Sequence, residues 1–221
     1  MSLAALSATG QISRIGSPLD KSAPRFVRAV AAGQPGEILM TTARGDVLRY
    51  DIGTGKVRVQ AEKLGELKGL CAGAEGVIYT VRATDGAVLH IAADGAVTPL
   101  ISGLNRPTDV LLANGELHVS ETGAGRVIRI RDGAATTLIG GLRDPRGMAC
   151  LDGWIHVLDR GRRALHAIGL DGDAGATVIA ENLPVGASCP LDFAGGLCVD
   201  HRGGLLIAAD GEGSVLRLTL A

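Results

Sequence analysis

The sequence repeats with a period near forty residues, and that period constrains the fold more than any other feature. Residues 26–64, 65–104, 105–142, 143–183 and 184–221 align as versions of one unit. Four of the units end in a leucine: Leu64, Leu104, Leu142 and Leu183, at spacings of 40, 38 and 41. The clearest copy is 105–130, NRPTDVLLANGELHVSETGAGRVIRI. An apolar run at 108–112 and a second strand at 116–120 flank the Asn114-Gly115 turn, the strongest short-range signal for a hairpin. A third strand, 126–130, follows the Gly123-Ala124-Gly125 corner, and an Asp132-Gly133 turn leads to a fourth. Four short antiparallel strands in ~40–45 residues is the period of a β-propeller blade.

The chain ends fit a closed ring. The fifth unit stops after its third strand, and the N-terminal segment ATGQISRIGSPL (8–19) parallels ADGAVTPLISGL (93–104), a fourth-strand segment. The fold expected is therefore all-β: a five-bladed β-propeller with four antiparallel strands per blade, forming a single domain over 1–221. The blades fall at about 20–64, 65–104, 105–142, 143–183 and 184–221, the last closed by an N-terminal strand around 11–15 drawn from 8–19. Joining both termini in one blade removes the edges that an open ring would leave unpaired. Hydrophobic residues make up 46% of the chain but aromatics only 2%, so the core has to be built from Val, Leu, Ile and Ala. The 33 glycines lack a three-residue period and mark turns.

Composition also excludes some partners. A formal net charge of −1 supplies no global field toward nucleic acid or an anionic membrane. No apolar run approaches the roughly 18 residues that span a bilayer. The N-terminus lacks the basic start and apolar core of a signal peptide, so a cytoplasmic protein is expected, unless the chain is a domain of a longer secreted or anchored one. Cys71, Cys150, Cys189 and Cys198 form no CxxC pair and no zinc spacing. Cys71, Cys150 and Cys198 lie in strand patterns and are expected to be buried thiols; Cys189 lies in a loop, where nothing in the sequence activates it as a nucleophile. No phosphate loop, dinucleotide fingerprint, HExxH or GxSxG occurs.

The segments PRGMACLDGWIHVLD (145–159) and GLCVDHRGGLLIAAD (196–210) resemble the NHL repeat. SETGAGRVIRI (120–130) resembles the strand-corner-strand element of streptogramin lyases, and the SMP-30/gluconolactonase propellers are wider relatives. The resemblance implies the propeller fold, and it implies that a ligand site, if present, lies where the central channel opens. Gluconolactonase-type propellers hold a divalent metal there through Glu, Asn and Asp.

The repeat locates the equivalent positions here. Where each inner strand begins stand Val27, Lys68, Thr108, Arg146 and Gly195, followed by Arg28, Gly69, Asp109, Gly147 and Gly196. The first ring holds two cations and no carboxylate, so no family-type metal site is expected; Asp109 alone is too few oxygens for a hard cation. At the end of the second strand stand Thr42, Arg82, Glu121, Asp159 and Asp210. An acid at this corner recurs in NHL-like blades, where it accepts backbone N–H groups of the turn.

Two readings of function follow. In the first, the protein is a recognition propeller that binds a small anionic molecule or an acidic peptide through Arg28, Lys68, Arg82, Asp109 and Arg146, since Arg offers a carboxylate or phosphate two parallel donors. The long loop 184–194, with Asp192 and Phe193, would lid the channel. This reading calls for no cofactor. In the second, a lyase or hydrolase would cleave a lactone or ester with Glu121, Asp159 or His118 as base and a divalent metal as electrophile. His118 and His156 occupy equivalent second-strand slots, for which packing between blades is the simpler role.

Overall fold

A computed structural model of the chain describes residues 4–6, 12–14, 27–170, 172, 175–186, 196–209 and 213–220. It is a five-bladed all-β propeller. Blade 1 comprises Val27–Ala32, Glu37–Thr42, Val47–Asp51 and Val57–Ala61; blade 2 comprises Leu67–Ala72, Ile78–Arg82, Ala87–Ile91 and Val97–Ile101. Blade 3 comprises Pro107–Ala113, Glu116–Glu121, Arg126–Arg131 and Ala134–Ile139; blade 4 comprises Pro145–Leu151, Trp154–Asp159, Ala164–Gly169 and Ala176–Ala180. In each of these blades the strands pair antiparallel in chain order, and the first strands of successive blades touch one another.

The last blade differs. Its described strands are three: Leu197–Val199, Leu205–Ala209 and Ser214–Leu218. A strand does form in the N-terminal segment, at Ile12–Arg14, but its described partner is Ala4–Leu6, with Ala4 opposite Arg14, in a separate two-stranded sheet.

Local chemistry accounts for the turns. Asn114 and Gly115 adopt φ of 52° and 78°, and Asp152 and Gly153 adopt 51° and 78°. This is the left-handed pair that a two-residue hairpin needs and that Asn-Gly and Asp-Gly adopt at low cost. The corner glycines explain the leucine that ends each unit. The Leu64, Leu104 and Leu142 N–H groups donate to the Gly45, Gly86 and Gly125 carbonyls at 2.9, 3.0 and 2.9 Å. A Cβ on Gly125 would lie 2.3 Å from the Leu142 carbonyl oxygen. Blade 4 makes the same bond, Leu183 N–H to the Arg163 carbonyl at 3.0 Å, with Arg163 itself at a φ of 54°.

The core lies in the seams between blades and is aliphatic, as the composition requires. Leu39, Val47, Leu67, Ile78, Leu89 and Ile91 join blades 1 and 2. Val81, Val88, Val110, Leu117, Val119 and Ile128 join blades 2 and 3. Met148, Ile155, Val157 and Ile168 meet Val127 and Leu142 of blade 3, and Leu158 and Leu165 meet Leu205 and Ile207 of blade 5. The cysteines are less enclosed than expected: Cys71 and Cys150 are half-buried and Cys198 is exposed. Cys198 sits on a three-residue strand of the three-stranded blade, where alternation in the sequence did not translate into cover on both sides. No helix among the described residues is long and apolar enough to cross a membrane.

Candidate ligand site at the channel mouth

The inner strands share an irregularity. In all four complete blades the pairing of first with second strand slips near the start of the inner strand: between Val27 and Ala29, Leu67 and Leu70, Pro107 and Asp109, and Pro145 and Met148. The slipped residues are Arg28, Lys68 with Gly69, Thr108, and Arg146 with Gly147. A bulge frees a residue from the ladder and re-aims its side chain, which is why bulges gather at rims and sites.

Hydroxyl groups pin the bulged backbone. Thr41 Oγ1 of blade 1 donates to the Lys68 carbonyl of blade 2 at 2.8 Å, and Ser120 Oγ of blade 3 donates to the Arg146 carbonyl of blade 4 at 2.8 Å. Thr80 Oγ1 donates to the Gly69 carbonyl at 2.8 Å. Thr108 Oγ1 lies 2.8 Å from Thr122 Oγ1 and 3.1 Å from the Pro145 carbonyl, linking blade 3 to blade 4.

Both cations are buried, Lys68 at 3% and Arg146 at 5% exposure. Each meets an acid two residues before it: Lys68 Nζ lies 3.0 Å from Glu66 Oε1, and Arg146 Nε donates to Asp144 Oδ1 at 2.7 Å. The side chain of Glu66 is 51% exposed and that of Asp144 only 22%. These acids were missed at the level of sequence. Their signal was the matching pair Glu66-x-Lys68 and Asp144-x-Arg146 at the same point of two units.

Asp109 lies between them in the ring. Its Oδ2 accepts the Met148 N–H of blade 4 at 2.9 Å and its Oδ1 accepts the Val110 N–H at 3.0 Å. On its other side it abuts Gly69 of blade 2, where an added Cβ would lie 2.1 Å from Oδ1. The residue is half-buried, and its carboxyl is surrounded by protein. Burial pushes its pKa up to about 7, against the pull of the two N–H donors. The Cys71 thiol is pushed up to about 12, by burial first and the Asp109 charge second; such a thiol is inert as a nucleophile near neutral pH.

Other predicted residues lie elsewhere. Arg28 is half-buried on the blade 1 bulge. Arg82, at the corner of blade 2, forms a two-point pair with Asp85 (Nε–Oδ1 2.8 Å, Nη2–Oδ2 2.7 Å). Glu121 is 1% exposed, accepts the Asn105 N–H at 2.7 Å and pairs with Arg126. Asp159 is fully buried and accepts the Arg143 and Asp144 N–H groups at 3.0 Å each, and that of Arg162 at 3.3 Å. His118 is fully buried in the seam of blades 3 and 4, and neither ring nitrogen reaches a hydrogen-bond partner. Burial therefore lowers its pKa, partly offset by Glu116. Asp192 and Phe193 lie outside the described residues. Among the described residues no group of three His, Cys, Asp or Glu side chains is placed to hold a metal ion.

No protein-family model matches the sequence, and no curated protein does. Solved structures do match the fold. Virginiamycin B lyase from Staphylococcus aureus superposes with a TM-score of 0.68 at 13% identity, over 90% of this chain and 71% of the lyase. A putative gluconolactonase gives 0.69 at 18% identity, over 90% of this chain and 80% of the other. An auxiliary nutrient binding protein from Bacteroides thetaiotaomicron gives 0.70 at 12% identity, over 98% of this chain and 63% of that one. The chain is thus a propeller related by structure to lyases, gluconolactonases and binding proteins. At these identities the likeness is one of fold, which hosts many chemistries.

Proposed function

We propose that the protein is a recognition propeller that takes the anionic group of a small molecule, or of an acidic peptide, at the mouth of its channel. The observation that carries this reading is the pair of buried cations, Lys68 and Arg146, on the inner-strand bulges of blades 2 and 4. Between them stands Asp109, whose carboxyl gains a proton near neutrality, on a strand that Thr108 ties to blade 4. Arg28 adds positive charge on the blade 1 bulge, while Asp85 neutralises Arg82.

The two cations play different parts. Glu66 is half in water, so an incoming carboxylate can take its place at Lys68 while Glu66 returns to solvent; like replaces like at modest cost. Asp144 is more enclosed and stays on Arg146, keeping the guanidinium oriented. Protonated Asp109 adds no repulsion, so an anion binds more tightly as pH falls from 8 to 6. The lactone- or ester-cleaving alternative has less support. Glu121 spends its oxygens on the Asn105 N–H and the Arg126 guanidinium, Asp159 accepts backbone N–H groups, and His118 is enclosed.

Calorimetric titration with di- and tricarboxylates, sugar phosphates and Asp/Glu-rich peptides tests the reading. At least one should bind with a Kd below about 1 mM, an affinity of roughly 4 kcal/mol. Lys68→Met and Arg146→Met should each weaken it tenfold or more, while Glu121→Gln leaves it unchanged. No binding across the panel, or full binding by both cation variants, overturns the reading.

A further inference from the structure

The opposite face of the ring carries a half-open cleft with different chemistry. It lies in the seam of blades 2 and 3, at the end of the strands remote from the inlet loops, with a volume of about 230 Å³. Its lining is Tyr79, His90 and Leu100 from blade 2, Leu112, Leu117 and Ile130 from blade 3, and the turn residues Gly115, Asp132 and Gly133. No Lys or Arg lines it; Asp132 is its acidic residue.

The pocket is built rather than left over. Tyr79 is one of only five aromatic residues of the Phe, Trp and Tyr types in the chain. It packs against His90 with ring centroids 5.6 Å apart at 60°. Gly73 makes room for the ring, since a Cβ there would lie 2.8 Å from Tyr79 Cε2. Leu100 reaches the pocket from a bulge, where the pairing slips between Pro99 and Ile101. At the rim, Gly115 and Gly133 face open space, so the two turns of blade 3 leave the mouth clear.

We infer that this seam pocket binds a small molecule with one aromatic ring and a protonated amine, its ring on Tyr79 and the aliphatic floor and its ammonium beside Asp132. Size sets the class: a cavity of roughly 150 Å³ holds benzene and drug-sized ligands take about 300 Å³ or more, so this volume suits one ring with a short chain. Charge sets the sign. The carboxylate favours a cation, and the face of Tyr79 attracts an ammonium group as well.

The test uses 2-phenylethylammonium as probe, followed by amide NMR on the whole chain. Saturable shifts are expected at Tyr79, Leu112, Gly115 and Gly133. The anion on the same phenylethyl group, 3-phenylpropanoate, should bind there at least tenfold more weakly. Asp132→Asn, which tolerates the same left-handed turn, should weaken the amine about fivefold, the worth of one exposed charge contact near 4 Å. Leu100→Arg, at an exposed position, should weaken it further. Arg146→Met should change nothing here, which separates this site from the channel mouth. Absent saturation, equal binding of the anion, shifts centred on Lys68 and Arg146, or indifference to both Asp132→Asn and Leu100→Arg would each overturn the inference.

Discussion

Blades 2 and 4 present the same slot in two states. Each carries a cation on its inner-strand bulge, Lys68 or Arg146, and an acid two residues earlier. The loop into blade 4 is tied down: the Asp159 carboxylate at the second-strand corner receives the N–H groups of Arg143 and Asp144. The corresponding residue of blade 2 is Arg82, which turns away to Asp85; there the Glu66 carbonyl still accepts the Ala83 N–H at 2.8 Å, but the Glu66 N–H makes a 3.4 Å bond to Thr84 Oγ1 in place of a carboxylate. A buried carboxylate holds the loop that carries the acid of blade 4, whereas the side chain of Glu66 is half exposed. On the proposed reading, one repeat position serves as an anchor in one blade and as an exchangeable site in another.

Removing the tie gives the largest expected effect. Asp159→Ala takes the acceptor from three part-buried N–H groups, at about 1 kcal/mol each, so a loss of about 3 kcal/mol is expected in urea unfolding, with faster amide exchange at 143–146. Arg82→Ala, its counterpart, removes a pair with the half-exposed Asp85 and should cost about 1 kcal/mol or less. Equal losses would erase the contrast.

The corners supply the next step. Gly125→Ala forces a side chain onto a φ of 60° and onto the Leu142 carbonyl, and should cost about 2–3 kcal/mol. Blade 4 already tolerates Arg163 at this corner, so Arg163→Gly should change stability by no more than about 1 kcal/mol, strain relief offsetting the lost bond from Arg163 Nε to the Leu183 carbonyl.

Acid should separate the two halves of the ring. Burial holds His118, His156 and His166 below the usual histidine range; Glu116 opposes this at His118, and Asp159 opposes it at His166. The neutral rings are what fold. Below the unfolded value near 6.5 the unfolded chain takes up protons that the folded chain refuses, so stability falls with pH. Hydrogen exchange should show the seams of blades 3 to 5 opening before that of blades 1 and 2. Asp109 runs the other way: its raised pKa makes stability decline as pH rises from about 4 to 7. The smallest effect follows: Asp109→Asn removes the buried charge but leaves one of its two N–H partners without an acceptor, so stability at pH 8 should change by less than roughly 1 kcal/mol, and the pH dependence of anion binding should disappear. A variant with an unchanged profile would contradict the assignment.

Most of the ring was legible because a propeller repeats its local chemistry. Asn114-Gly115 and the unit-ending leucines mark turns and corners that need only neighbouring residues to form. Lys68, Arg146 and Asp109 could be placed by alignment alone. The bulges could not, because a slip in register belongs to the pairing of two strands and not to either one. Glu66 and Asp144 went unnoticed for the same reason: their meaning depends on which side the bulge turns the cation. The exposure of Cys198 and the seam pocket around Tyr79 depend on how neighbouring blades meet. The long loop with Asp192 and Phe193 lies outside the described residues.

The most direct test of the exchangeable slot is anion affinity in Glu66→Gln. If an incoming carboxylate displaces Glu66 from Lys68, removing that competing charge should tighten binding by calorimetry about fivefold to tenfold, or roughly 1–1.4 kcal/mol, while Asp144→Asn weakens it. Unchanged or weaker binding in Glu66→Gln would contradict the account.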